Sequence, residues 1–487
     1  MATILQKVYH EIGLQAFTKS PYDVKILCLQ RFVRLAAYGA STLVLVLYLV
    51  DLDNSVSRTG LFMTLTLIGD VFISLILTLI ADKLGRRRLL AVGSLLMTMS
   101  GVVFALSSNF WVLLLASIVG VISPSGNEIG PFKAIEESTI AQLTTLNDRS
   151  SVLAWYTLHG TAGVALGTIV CGWVVRVLQT KNDWEPVATY RLVYAAYAVM
   201  GIVKFLLCLI LTEKCELEKP KELPPTSQPE QQPLLADHPR EQPQKQDTKS
   251  TTAWSNLLPQ LSDETRSLVL KLGLLFSMDS LASGLSANSW MVYFFHEKFH
   301  LEEGYLGSLF FTTNIISSAS NLVAASLGRR IGLVKTMVFT HAPASIALAL
   351  IPVPTNVAIA MALLIFRAST NSMDQAPRQA FLSAAVLPAE RTAVMGIMNV
   401  VKTMSQAAGP IVTGKLAAVS KFWLAFVVAG CFKLLYDAFL LLLFLGYRTV
   451  EDKAKAKAPT ETTDETDENS SITNSEQGNK AHNNQAK

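Results

Sequence analysis

Twelve stretches of this chain each approach the roughly 20 mainly apolar residues that a helix needs to cross a bilayer core of about 30 Å. They run from about 27 to 50, 59 to 80, 89 to 107, 110 to 132, 151 to 175, 190 to 212, 268 to 295, 304 to 326, 333 to 351, 356 to 380, 393 to 416 and 422 to 446. In lipid every backbone polar group must be satisfied within the protein, so apolar runs of this length spell helices rather than strands of an open sheet. Only 16% of the residues are charged, against about 25% in soluble domains. The expected fold class is therefore an all-α membrane protein with 12 transmembrane helices.

The remaining features exclude other classes. A net charge of +4 comes with no basic face or basic tail, which argues against a nucleic-acid partner. Cys28, Cys171, Cys208, Cys215 and Cys431 are widely spaced and form no Cys-x-x-Cys pair, so neither a disulfide framework nor a zinc site is expected. No nucleotide loop, metal-ligand cluster or nucleophile motif is present; the expectation is no enzyme, no cofactor and no metal. The first residues show no apolar core followed by a cleavage site, which predicts a cytosolic amino-terminal segment over 1–26. Residues 213–266 are rich in Pro, Gln and charge, and residues 447–487 in Lys, Ala, Thr, Glu and Asn, so a disordered linker and tail are expected there.

Basic residues then set the orientation. Lys83, Arg86, Arg87 and Arg88, then Lys133 and Arg149, Arg329, Arg330 and Lys335, and Arg378 and Arg391 all fall in alternate loops, which predicts that those loops and both termini are cytosolic. Glu230-Gln-Gln-Pro-Leu234-Leu235 in the linker looks like an acidic dileucine sorting signal, so the plasma membrane and a vacuolar or lysosomal membrane are both open.

The chain also repeats itself. Glu128-Ile-Gly-Pro131 near the end of span 4 matches Asp374-Gln-Ala-Pro377 near the end of span 10, and Asp148-Arg149 matches Glu390-Arg391. Counting 18 and 23 residues past each Arg reaches Gly167 and Gly172 in one half, Gly409 and Gly414 in the other. Leu84-Gly85-Arg86-Arg87 likewise matches Leu327-Gly328-Arg329-Arg330, and Gly39 and Tyr48 match Gly284 and Tyr293 at a shift of 245. Two six-helix halves, 27–212 and 267–446, are predicted, in parallel orientation because six spans return the chain to its starting side.

Ala81-Asp82-Lys83-Leu84-Gly85-Arg86-Arg87-Arg88 between spans 2 and 3 resembles the signature loop of the major facilitator superfamily, and the 6+6 repeat covers the chain apart from linker and tails. The resemblance implies the major facilitator fold, alternating access of two pseudo-symmetric halves, and a gating loop in which Asp82, Gly85, Arg86 and Arg87 help latch the cytosolic side. Gly85 also permits a tight reversal on its own account. Thr78 stands where the family usually has Gly, and Ala325 where a second Asp would fall.

Ionisable groups inside lipid cost at least about 2.5–3.5 kcal/mol each on insertion scales, so they mark a cavity or a partner. Arg367, Asn371, Asp374 and Arg378 recur at helical spacing on one face of span 10; Arg34, Tyr38 and Ser41 share a face of span 1, and Asp279, Ser283, Ser286 and Trp290 a face of span 7. In the resembled fold spans 1, 4, 7 and 10 line the central cavity. This makes Arg34, Tyr38, Glu128, Asp279, Trp290, Arg367, Asn371 and Asp374 the candidate cavity residues, with static ion pairing as the competing reading. Asp70 and Asp279 are the candidates for proton coupling, and Lys433 and Asp437, four apart, are expected to neutralise each other.

Arg34 and Arg367 suit a carboxylate or phosphate, so an organic anion is a reasonable substrate class, offset by the three acids. The expected function is secondary active transport of a small organic solute, with coupling to protons left open, by a monomer in the lipid bilayer. A polyspecific drug efflux pump and a non-transporting solute receptor are the alternatives.

Overall fold

The structure, a computed structural model, describes residues 14–120, 122, 131–216, 262–387 and 390–446. Glu128, the Asp82 side chain, and most of the expected linker and tail lie outside the described residues.

A short α1 (Leu14–Lys19) leads into the first three crossings, α2 (Tyr22–Asp51), α3 (Val56–Leu84) and α4 (Arg86–Leu106). The fourth contains two helices, α5 (Phe110–Val119) and α6 (Pro131–Leu143), and α7 (Leu146–Lys181) and α8 (Pro186–Ile210) complete the first half. In the second half α9 (Asp263–Leu285) and α10 (Asn288–Phe299) form the seventh crossing, α11 (Glu303–Ile331) the eighth and α12 (Leu333–Leu350) the ninth. The tenth is α13 (Val357–Asn371), a 3-10 turn (Ser372–Asp374) and α14 (Gln375–Ala385); the eleventh is α15 (Arg391–Ala407) and α16 (Gly409–Ala418); α17 (Phe422–Phe444) is the last. Among the described residues, eight segments are long and apolar enough to cross a membrane, with α9 and α10 taken as one. The other four crossings are the fourth, the tenth, the eleventh and α11, whose middle is rich in Ser, Thr and Asn.

The interruptions have local causes. Pro410 has no N–H to give and sits in the first turn of α16, where the amide of Ile411 donates to Thr64 Oγ1 of α3 at 3.0 Å. Between α9 and α10 the backbone of Ser286 leaves the helical region, which turns Ser283, Ser286 and Asn288 toward the space between the halves.

The apolar core shows how the halves meet. One buried cluster joins Tyr48, Phe104 and Tyr194 of the first half to Trp290, Phe294 and Phe426 of the second. Toward the opposite end, which carries Arg86, there are two separate clusters, one around Leu27, Leu90 and Tyr156 and one around Phe276, Met337 and Tyr436. The bundle is thus packed shut at one end and divided at the basic end. On the closed side α7 crosses α11 and α3 crosses α16 backbone against backbone. A Cβ on Gly172 would stand 2.3 Å from the Glu303 carbonyl oxygen, and one on Gly60 2.5 Å from that of Pro410.

The reversal between α3 and α4 is made by Gly85 at φ +90°, and its counterpart in the second half is Gly332 at φ +91°. Sequence matching had aligned Gly85 with Gly328; the backbone places the equivalent turn four residues later, where only the conformation and not the Arg-Arg pair is kept. In this register Arg329, rather than Ala325, is the sequence equivalent of Asp82 in the second half. The Glu216 carboxylate accepts from the Arg86 and Arg87 amides at 2.6 and 3.1 Å, an anion on the positive end of α4. Glu216→Ala is expected to lower stability by about 0.5–2 kcal/mol, read as a lower unfolding temperature in detergent.

Candidate functional site

A cavity of about 360 Å³ lies between the halves, from mid-bundle toward the basic end. Its charged lining is Arg31, Lys133 and Arg367, and among the described residues no carboxylate lines it. Arg31 is stacked over the Tyr156 ring at 4.0 Å, and Lys133 stands 3.9 Å from Glu137. Arg367, on α13, has no acidic side chain within ion-pair distance among the described residues, and its Nε has no hydrogen-bond partner there. Asn371, one turn further along α13, lines the same wall.

Beside the cavity each half carries a buried ion cluster. In the first half Glu136 of α6 is fully buried and accepts from Arg34 at 2.7 Å and from the Tyr156 hydroxyl at 2.6 Å, with Lys204 of α8 at 3.6 Å. In the second half Asp279 of α9 takes Arg378 of α14 at 2.7 Å and Lys433 of α17 at 2.6 Å. Arg378 also bonds Asp374. His341 of α12 bridges onward, with Nδ1 at 2.9 Å from Asp437 and Nε2 at 3.5 Å from Asp279. The clusters are partly charge-inverted images: Arg and Glu from crossings one and four become Asp and Arg from crossings seven and ten, while crossings six and twelve both supply Lys.

Of the residues singled out from sequence, Tyr38, Arg367 and Asn371 line the cavity. Arg34, Asp279 and Asp374 are engaged in the ion clusters, and Trp290 is buried among Tyr293 and Phe422 at ring distances of 6.0 and 5.7 Å. Lys433 pairs with Asp279 and Asp437 with His341, so the expected Lys433–Asp437 neutralisation does not form. The reason is reach: each finds a partner on a neighbouring helix at better distance than along its own. Asp70 on α3 is buried, and neither carboxylate oxygen has a hydrogen-bond partner among the described residues. In the gating loop, Gly85 makes the turn, Arg86 Nη1 donates to Gln142 at 2.8 Å, and Arg87 offers its amide to Glu216. Glu136, Lys204 and His341 are members of these clusters that sequence reasoning did not assign. A shift of 242, which aligns Arg149 with Arg391, also lands Glu136 on Arg378, and that is the signal that was there to be used.

Ser283 connects the second cluster to the cavity. Its hydroxyl accepts from Lys433 Nζ at 2.9 Å while it lines the wall, so a chain Ser283–Lys433–Asp279–His341–Asp437 runs from the cavity into the half.

The sequence model of the Major Facilitator Superfamily matches residues 27–278 and 272–477. The "Uncharacterized membrane protein YJR124C" of Saccharomyces cerevisiae is 38% identical over 437 residues, covering 87% of this chain and 94% of that protein. The quinolone resistance protein NorA of Staphylococcus aureus is 23% identical over 189 residues, 39% of this chain and 45% of its own. Among solved structures, a bacterial homologue of the human lysosomal transporter Spinster, inward-facing and unoccupied, superposes with a TM-score of 0.63 at 14% identity, covering 86% of this chain and 96% of that one. Two six-helix halves closed at one end over a polar cavity, a match along nearly the whole length and a close relative over most of it lead to one assignment: the chain belongs to the major facilitator superfamily of membrane transporters.

Proposed function

We propose that this protein is a secondary active transporter of a small organic anion, working by alternating access of its two halves and coupled to protons. The observation that carries the reading is a cavity whose described walls hold three cations and no acid, with Arg367 lacking an acidic partner. A cation partly removed from water and left unpaired is costly, and an anionic solute supplies the missing partner. The positive-inside pattern puts both termini and the open, basic end in the cytosol, so the arrangement is inward-open, and the transporter functions as a monomer.

The proton enters through the second cluster. Three carboxylates (Asp279, Asp374, Asp437) face two fixed cations (Arg378, Lys433), and His341 hydrogen-bonds between them. With the acids ionised, one proton on His341 makes the cluster neutral, and its loss leaves a net negative charge. Arg367 lines the same cavity as Ser283, through which the cluster reaches the wall, so a neutral cluster leaves Arg367 to the substrate and a negative one competes for it. Proton and anion therefore bind with positive coupling, which by linkage is reciprocal, and the anion's affinity falls as pH rises. His341→Gln is expected to flatten that pH dependence and abolish gradient-driven uptake while sparing exchange. Asp70 lies outside this chain of contacts, and Asp70→Asn is expected to leave the gradient dependence in place. Both are measured as uptake with and without a pH gradient; a gradient response surviving in His341→Gln, or lost in Asp70→Asn, moves the coupling site.

The overall test is uptake and efflux of organic anions and cationic drugs in proteoliposomes. Wild type moves an anion and Arg367→Gln does not. A compound that binds but is never moved would make the protein a solute receptor. Export of cationic drugs would favour the alternative of a polyspecific drug efflux pump.

A further inference from the structure

We infer that the solute is a polyhydroxylated anion, a small sugar-like carboxylate or phosphate ester, rather than an apolar or aromatic anion; this rests on the anion reading above. Binding pockets for drug-like molecules are lined mainly by apolar and aromatic side chains with a few polar groups to orient the ligand. Here the proportions are reversed. More than half of the lining side chains carry a hydroxyl or a carboxamide, and Tyr38 and Phe310 are the aromatic members.

The polar groups are of two kinds. The hydroxyls of Thr161, Thr168, Ser286 and Thr313 donate back to carbonyls of their own helices, so what they turn to the cavity is lone pairs, acceptors for ligand O–H groups. The carboxamides of Asn288, Asn321, Asn371 and Gln375 make no hydrogen bond to the described residues and offer both a donor and an acceptor. A ligand hydroxyl is itself donor and acceptor, so a chain of them satisfies both kinds at once. An aromatic or alkyl anion would strip water from these groups and return nothing, a penalty incurred at each unsatisfied position. Arg367 sits on the same helix face as Asn371, one turn away, which places the anionic end of the ligand at Arg367 and its hydroxylated body against the carboxamides. A cavity of about 360 Å³ holds one such molecule and little more.

The experiment uses the full-length purified protein, with thermal stabilisation in detergent and uptake in proteoliposomes as two readouts. Gluconate and glucose 6-phosphate are the probes that separate a carboxylate from a phosphate head. Glucose, which lacks charge, and benzoate, which lacks hydroxyls, are the controls. At least one of the two probes is expected to stabilise and be taken up, with glucose and benzoate each weaker by tenfold or more. Asn371→Leu should weaken the favoured probe by about tenfold, the scale of one lost hydrogen-bonding group, and leave benzoate unchanged. Asn321→Leu, on a different helix, repeats the measurement should the first variant fold poorly. If benzoate is moved in an Arg367-dependent way and both probes are refused, the hydroxylated-ligand inference falls and the anion reading stands. If glucose is moved as well as gluconate, both fall; refusal of every compound overturns the inference.

Discussion

Glu136→Gln is expected to destabilise the protein more than any other single change at the two ion clusters, by about 3–5 kcal/mol. Arg34 and Lys204 both approach Glu136, and all three lie within one half with little exposure. The amide keeps the shape and the Tyr156 contact but removes the buried negative charge that Arg34 and Lys204 both approach. The second-half cluster does not share this vulnerability to the same degree, because Arg378 divides its charge between Asp279 and Asp374. The measurement is the unfolding temperature in detergent, followed by the double variant Glu136→Gln/Lys204→Met. Removing one of the two cations that approach Glu136 should recover part of the loss, since directly contacting groups are not additive. An unchanged unfolding temperature in the single variant would mean that the cluster is solvated in a way its burial denies.

That Glu136 was not assigned from sequence shows where the reading reaches its limit. Hydropathy gave twelve crossings and a repeat gave two halves, because both are properties of long windows and survive local error. Span 4 was ended near 132 since the chain turns polar there. The described helix over Pro131–Leu143 carries Glu136 inward, where its cost is offset by Arg34, Tyr156 and Lys204. Apolarity locates residues that lipid tolerates; it has no means of locating an acid that a neighbouring helix tolerates. The same limit explains Arg34 and Asp279. Both are candidates for the cavity lining from sequence, yet each is bound to partners within its own half, because helical spacing fixes a face and a depth and not the partner. Arg367 and Asn371 were legible for the opposite reason: a cation and an amide one turn apart, at mid-span, share a face whatever they pair with. The turn at Gly332 was misplaced at Gly328 since a motif of identical letters outweighed the one property that matters there, a backbone at positive φ.

Gly172→Leu is expected to abolish transport while leaving the fold intact. Leucine is a better helix former than glycine, so α7 itself is not weakened. The cost falls on the contact between halves. A Cβ at position 172 would lie 2.3 Å from the Glu303 carbonyl oxygen and 2.9 Å from Gly307 Cα, and both are backbone atoms of α11 that no side-chain rotation can move. The only relief is separation of α7 from α11 at the closed end, where Trp173–Ser308 at 3.0 Å joins α7 to α11 and Tyr190–Glu303 at 2.7 Å joins the neighbouring α8 to it. The pseudo-symmetric crossing of Gly60 and Gly414 depends on the same closure, so Gly60→Leu should act alike. A steric penalty of about 3 kcal/mol changes the ratio of the two states more than a hundredfold, enough to remove the inward-open state from the cycle. Spin labels at Asp183 and His300, exposed in opposite halves at that end, read the result directly: the label distance should lengthen in Gly172→Leu, with uptake lost and the unfolding temperature nearly unchanged. An unaltered distance with uptake retained would show that the halves do not need this contact to close, and the alternating-access reading of the glycine crossings would have to be given up.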